Sequence, residues 1–480
     1  MGALAAVSTD GAEDPRSIVE TMLHVLSHRG AQANASTLGA ERTHQVSLGY
    51  SFHHDAQGKF VQSDQGALAM NGSFFELPPK VQANQIFKRL TGEQTLEKGV
   101  GHIMMEPGAF AIICYRKNKL FAFRDIEGLK PLYYGRRRGF AAFASERKAL
   151  WKIGLKQTNR VLPGVLYTTG AKAFKQNSLA RISRPREKAL TLEQASTQLT
   201  RLLIRSIRRV TKELDKVAVA FSGGLDSALT AILARKTGTK VELVSVGLTD
   251  SPELLTAEKS ARSLDLPITI ETFSTDALEE YIRRVVWLIE EPNLMKVSVA
   301  IPLHWAAIVA AKRGFTVMLC GQGSDELYGG YYKYSRILDE KGRRALVTEL
   351  YRSIIDAPQA NYERDDQATA PTGIELRTPF ADLDVVRFSM QIPSEFKVKR
   401  GNDLTRKWVL RHVAKKLGLP DETVWRRKRA IQHGTGVENA IHKLAKLRNL
   451  PVKEYLASIY DEVVKLDSIP YISHLNGSNR

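Results

Sequence analysis

A short apolar run, Val217-Ala-Val-Ala-Phe221, leads straight into Ser222-Gly-Gly-Leu-Asp-Ser227 and then into a helical stretch ending near Lys236. This strand, glycine turn and helix constrain the fold more than any other feature of the chain. Two adjacent glycines, Gly223 and Gly224, let backbone N–H groups close around a small anion, and the N-terminus of the following helix adds its positive dipole end. Ser222 and Ser227 contribute hydroxyl donors. Asp226 suits a phosphate loop only if a cation lies between carboxylate and phosphate, and Mg²⁺ is the natural one. No Gly-Lys-Ser/Thr ends the loop, so it is not the Walker-type loop that transfers a γ-phosphate. As bare structure, the string is a glycine turn capped by serine at a helix start.

The unit lies in a β-α-β texture. Lys240–Val246 and Ile268–Phe273 read as strands and Ala257–Leu264 as a helix. A helix over Ala300–Arg313 leads to a strand over Thr316–Cys320. Strands alternating with helices predict a parallel sheet covered on both faces, and the remainder, Asp325 to Arg480, reads as mainly helical. Upstream, Thr191–Leu214 reads as one amphipathic helix capped by Thr191, and the basic, Pro-containing stretch Lys172–Lys188 reads as a linker. The first part is β-rich, with strands at Leu48–Phe52, Ala67–Met70, Ala109–Tyr115, Leu120–Phe123 and Leu132–Gly135. One helix is expected over Ser17–Leu26. The expected division is therefore 1–175, a linker 176–190, and 191–480.

Composition narrows the class. With 480 residues, 43% of them hydrophobic, the chain can bury a sizeable core in two or three domains. No apolar stretch approaches a membrane span, Gly2–Val7 is too short for a signal-peptide core, and Ala6 breaks the myristoylation pattern. Two cysteines, Cys114 and Cys320, exclude a disulfide framework and a multi-thiolate metal site. The expectation is a soluble, cytoplasmic protein without a membrane partner. The net charge of +19 favours anionic partners, nucleic acid among them, but a well-solvated basic surface accounts for it equally. No aromatic-interleaved basic patch, RNA-binding motif or zinc-ribbon spacing supports nucleic acid.

The loop Ser222–Ser227 resembles the signature of the pyrophosphate-loop ATPases, which cleave ATP between the α and β phosphates and activate an oxygen as its adenylate. Further motifs single out one family. Val317-Met-Leu-Cys-Gly-Gln-Gly-Ser-Asp-Glu-Leu-Tyr-Gly-Gly-Tyr331, Gly373-Ile-Glu-Leu-Arg-Thr-Pro-Phe380, Lys407-Trp-Val-Leu-Arg411 and Arg427-Lys-Arg429 resemble asparagine synthetases in order and spacing. His28-Arg-Gly30, Asn71-Gly72, Arg124-Asp-Ile-Glu-Gly128, Pro131-Leu-Tyr-Tyr134 and Phe143-Ala-Ser-Glu146 resemble the class II glutamine amidotransferase domain. The resemblance implies an α+β N-terminal-nucleophile-type sandwich of two antiparallel sheets between helices, followed by an α/β pyrophosphate-loop (HUP-like) domain with a helical C-terminal part. It implies ATP and Mg²⁺ as cofactors, a small-molecule carboxylate and ammonia or another amine as substrates, and AMP-forming amide synthesis. It implies Ser222, Gly223, Gly224, Asp226, Ser227 and Gly321 around ATP and pyrophosphate, Asp226 and Asp325 on the metal, and Lys428 as the catalytic cation. A homodimer is an open expectation.

The chain departs from this pattern at two sites. It begins Met1-Gly2-Ala3-Leu4, as though the nucleophilic Cys of Met-Cys-Gly were deleted, and Gly49-Tyr-Ser-Phe52 stands where an Arg should hold the substrate carboxylate. Of the glutamine pocket only Asn71 and Gly72 persist, so the expected nitrogen donor is ammonia and the glutaminase half-reaction is not expected. In the second domain, Gln322 occupies the place of an acid that guides deprotonation of the nucleophile, and an amide cannot act as a base. Aspartate is the acid implied by the resemblance; Gln322 points instead to another carboxylate. The β-lactam synthetases carry a Tyr at this place with a Glu partner, and Glu363 lies near where that Glu would fall. As bare sequence, Glu363 is a solvated acid beside Arg364 and Asp365. Two alternatives thus stand beside amide synthesis: a lactam-forming ligase on another carboxylate, and a pyrophosphate-loop protein that modifies or binds RNA.

Overall fold

The computed structural model describes residues 2–11, 13–41, 44–53, 58–93, 95–170, 173–399 and 406–465. Two six-stranded antiparallel sheets build the N-terminal part. Side chains alternate along their strands. In the first sheet Leu4, Ala6, Leu48, Tyr50 and Phe143 meet Ala67, Ala69, Ala111 and Ile113 of the second. The opposite face, with Ala3, Ala5, Val7 and Ala142, packs on Val19, Met22 and Leu23 of the helix Pro15–Val25. On the outer face of the second sheet, Leu68, Met70, Ile112 and Phe123 meet Ile86, Leu90, Val100 and Ile103 of two further helices. Helix, sheet, sheet and helix thus form the expected sandwich. Its fully buried strand Gly2–Thr9 went unread because both its faces are apolar and no alternation shows. A strand over Ala173–Ser178 runs into the stretch read as linker. The linker's Lys172 and the helical reading of 466–480 lie outside the described residues.

The second part is built on a parallel five-stranded sheet. Its strands run in the order Ile268–Phe273, Lys240–Leu248, Lys216–Ala220, Val317–Leu319, Glu375–Arg377. The helices Leu225–Lys236 and Leu192–Thr211 cover one face, the latter held at its start by reciprocal bonds between Thr191 and Gln194. Leu294–Lys312 covers the other. This last helix corrects one expectation, because by length and hydropathy alone it could cross a membrane. Two-thirds of that window is buried inside the domain, as in the core helix of a large sheet protein.

The two parts meet through buried ions. Arg29, wholly buried, pairs with Glu146 at 2.9 Å and with Asp366 of the second part, and Lys130 approaches the other oxygen of Asp366 at 2.7 Å. Arg124 and Arg160 converge on Glu363.

Candidate active site

Strand order reverses at Lys216–Ala220: the second strand lies on one side of it and the fourth on the other. In an open parallel sheet this divergence leaves a crevice beyond the carboxyl ends of the strands. Both glycine loops emerge there. Gly223 has φ +67°, and a Cβ on it would lie 3.0 Å from the Arg426 guanidinium and 3.1 Å from Ala257 Cα. Only glycine makes that turn without strain. A Cβ on Gly321 would come 2.7 Å from that of Asp226, so the loops touch each other. Asp226 stands in the first turn of Leu225–Lys236 and Asp325 in the first turn of the short helix Ser324–Tyr328.

Two lysines join these carboxylates. Lys428 Nζ lies 2.8 Å from Asp325 and 3.7 Å from Asp226. Lys407 Nζ lies 2.6 Å from each and donates to Ser324 Oγ at 2.9 Å. Burial alone would raise the Asp325 carboxyl, but Lys407 and Lys428 outweigh it and hold the group well below the carboxylate range. Burial likewise opposes the charge on Lys428, and Asp325 with Asp226 overcomes it, so the lysine's pKa rises above its ordinary value. Asp325 and Lys428 are thus each held in their charged forms by the other. Ser227 Oγ donates to the Gly224 carbonyl at 3.1 Å and accepts from the Ser222 N–H at 3.4 Å, bracing the loop. Arg426 bonds the Gly223 carbonyl at 3.1 Å and is steadied by Glu253 at 2.8 Å.

The cleft over the loop is lined by Asp226, Glu253 and seven cationic side chains, among them Arg406, Arg427 and Arg429. The charge of that lining suits a polyphosphate. Its carboxylates also fit Mg²⁺. Asp226 Oδ1 is buried and accepts no hydrogen bond, and no group of three or more His, Cys, Asp or Glu side chains placed to hold a metal ion by themselves occurs among the described residues. Two carboxylates suit an ion that takes its other ligands from phosphate and water.

Gln322 lies in the turn between the two glycines, where its side chain acts on the carboxyl of Asp365. Burial pushes the Asp365 carboxyl up, against the lowering effect of Arg364 and Gln322. Glu363 is not at this site. It is neither solvated nor turned toward the cleft: its carboxylate accepts from Arg124 at 3.0 Å, Arg160 at 2.7 Å and the Tyr133 hydroxyl at 3.0 Å, across the junction of the two parts. The acid beside Gln322 is Asp365. Lys407 was also missed as a site residue, although its motif was recognised. Its non-glycine φ of +63°, which turns the side chain in, has no signature in the sequence.

In the first part, Asn71 is fully buried and neither atom of its amide has a partner. Lys59 donates to the adjoining Gly72 carbonyl at 2.6 Å and to Ser73 and Gln82 at 3.3 Å each. Burial brings the Lys59 amine down to about 8. Both cysteines are buried, and burial pushes each thiol up to about 12.

A glycine turn, a carboxylate pair and two lysines at the divergence of a parallel sheet form the candidate site of a pyrophosphate-loop-type domain, here beside an amidotransferase-type sandwich. Comparison with known proteins agrees. Residues 198–347 and 338–455 match the asparagine synthase family model, and 84–152 match that of a glutamine amidotransferase domain. A putative glutamine-hydrolysing asparagine synthetase of Methanocaldococcus jannaschii is 35% identical over 410 residues, 76% of this chain and 74% of that one. Asparagine synthetase 3 of Arabidopsis thaliana is 30% identical, covering 71% of this chain and 61% of its own. A probable asparagine synthetase of Schizosaccharomyces pombe is 27% identical over 88% and 83% respectively. The chain belongs to the asparagine synthetase family.

Proposed function

We propose that this protein makes an amide by activating a carboxylate with ATP, releasing pyrophosphate, and then passing the acyl group from AMP to ammonia. The carrying observation is the meeting of Asp226 and Asp325 beside the Ser222–Ser227 loop, with Lys428 bridging them. The backbone of the glycine turn and Ser222 receive the leaving phosphates. Asp226 and Asp325 would hold Mg²⁺, which supplies positive charge against pyrophosphate. Lys428 is the most exposed of the bridging groups and stabilises charge building on the α-phosphate and the acyl carbon.

Aspartate is the acid that the relatives' names favour. Ammonia, in preference to glutamine, is favoured by the first domain: Lys59 is bonded to the backbone of the Asn71–Gly72 pair, and neither thiol is near ionisation. The experiment is turnover of α-labelled ATP with Mg²⁺, aspartate and ammonium, followed by separation of the nucleotides. AMP, pyrophosphate and asparagine are expected; ADP as the nucleotide product refutes the reaction class, and AMP formed only with another acid refutes aspartate alone.

A further inference from the structure

Lys407 is the more confined of the two bridging lysines. Its side chain is 4% exposed, against 31% for Lys428. Gly330 closes over it: a Cβ there would lie 2.3 Å from Lys407 Cε and 1.8 Å from Asp325 Oδ1. The lysine itself takes the left-handed φ of +63° that an L-residue rarely adopts. A strained backbone beneath a charged cluster marks a residue whose placement matters more than its local comfort.

We propose that Lys407 is a positioning residue, a fixed internal counter-cation that spaces Asp226 and Asp325 and bars a divalent ion from them unless polyphosphate arrives with it. The inference rests on the reading of this site as a metal–pyrophosphate site. Its logic is a charge count. Two lysines on two carboxylates make a neutral set, and a divalent ion entering alone would bring it to +2 in a buried place. Pyrophosphate entering with the ion more than offsets that charge, and the arginines lining the cleft face the remainder. Lys428, with room to move, can follow the phosphates; Lys407, enclosed by Gly330 and tied to Ser324, stays. The carboxylates thus keep one spacing before and after nucleotide binds, and metal and nucleotide bind as a unit.

The test uses Mn²⁺ as probe, followed by electron paramagnetic resonance on the full chain, alone and with pyrophosphate, in wild type, Lys407→Met and Lys407→Arg. The wild type should bind Mn²⁺ weakly alone and far more tightly with pyrophosphate. Lys407→Met should bind Mn²⁺ alone at least about tenfold more tightly, as follows from removing a unit charge a few ångströms from the ion. Lys407→Arg, which keeps the charge, should behave as wild type. Mn²⁺ binding to Lys407→Met that is no tighter than to wild type overturns the proposal. Should the Met variant fail to fold, Lys407→Arg decides: unchanged Mn²⁺ binding supports the counter-cation, and a tenfold gain overturns it. A wild type that binds no Mn²⁺–pyrophosphate at all would instead refute the functional reading beneath it.

Discussion

Asp366→Asn tests whether the two parts are held together by the buried ions at their junction. Asp366 is 3% exposed and shared between Arg29 and Lys130, themselves 0% and 1% exposed. Screening by solvent is negligible at such burial, so these pairs are unlike surface salt bridges. Asparagine keeps the shape but offers one acceptor. Its amide N–H₂ must then face one of the two cations, donor against donor. Breaking a buried pair from one side costs about 3–5 kcal/mol. Arg29 retains Glu146 at 2.9 Å, so the lower end, about 3 kcal/mol, is expected. Urea unfolding at pH 7 followed by circular dichroism measures it, with the slope checked for separation of the two parts. The pH dependence supplies a second arm. Burial would raise the Asp366 carboxyl, but Lys130 and Arg29 hold it below its ordinary 3.8. A depressed acid contributes stability that is fully present above its unfolded value and is lost as pH falls through its folded value. The wild-type advantage should therefore persist at pH 5 and shrink steadily below pH 4. A loss under about 1 kcal/mol at pH 7, with unchanged slope, would refute the reasoning, since it is the range of a surface pair.

Three further outcomes follow. Asp226→Asn should lower Mg²⁺-dependent pyrophosphate release by at least about 100-fold, because one of two anionic ligands is lost; a steady-state rate within tenfold of wild type contradicts the metal assignment. Gln322→Glu sets a second acid against Asp365, already raised by burial, and two adjoining acids share a proton. Amide synthesis by that variant should acquire an ionisation near neutral pH that the wild type lacks, and superimposable pH–rate profiles would refute the contact. Wild type and a Cys114→Ser, Cys320→Ser variant should release glutamate from glutamine equally slowly, at background; thiol-dependent release in a coupled assay would restore the glutaminase reading.

What the sequence made legible was local chemistry. In Ser222–Ser227 the turn, the dipole end, the hydroxyls and Asp226 lie within six consecutive residues, so their conjunction can be read without the fold. The same holds for Gly321 and Asp325 on the second loop. Strands fared worse where the pattern carried no period. Gly2–Thr9 is buried on both faces, and Glu375–Arg377 is only three residues long and defined by its pairing with Val317–Leu319. Lys407 needed a backbone turn that no residue type announces.

The short helix Glu363–Thr369 shows why proximity in sequence misled at the acid. Glu363 beside Arg364 and Asp365 reads as a solvated acid, yet all of Glu363-Arg-Asp-Asp366 is buried. In a helix, positions three apart share a face while neighbours diverge by 100°. Glu363 and Asp366 accordingly face Arg124, Arg160, Arg29 and Lys130 of the first part, whereas Arg364 and Asp365 pair with one another and Asp365 lies by Gln322. The angle is readable from the spacing. What lies on each side is not, because the partners of Glu363 and Asp366 come from more than 200 residues upstream. Unpaired, such charges could not be buried at all, so this helix belongs where it is only in a chain that carries both domains. The sandwich thus supplies the cations that let this helix be buried, a structural part it plays alongside whatever its own pocket does.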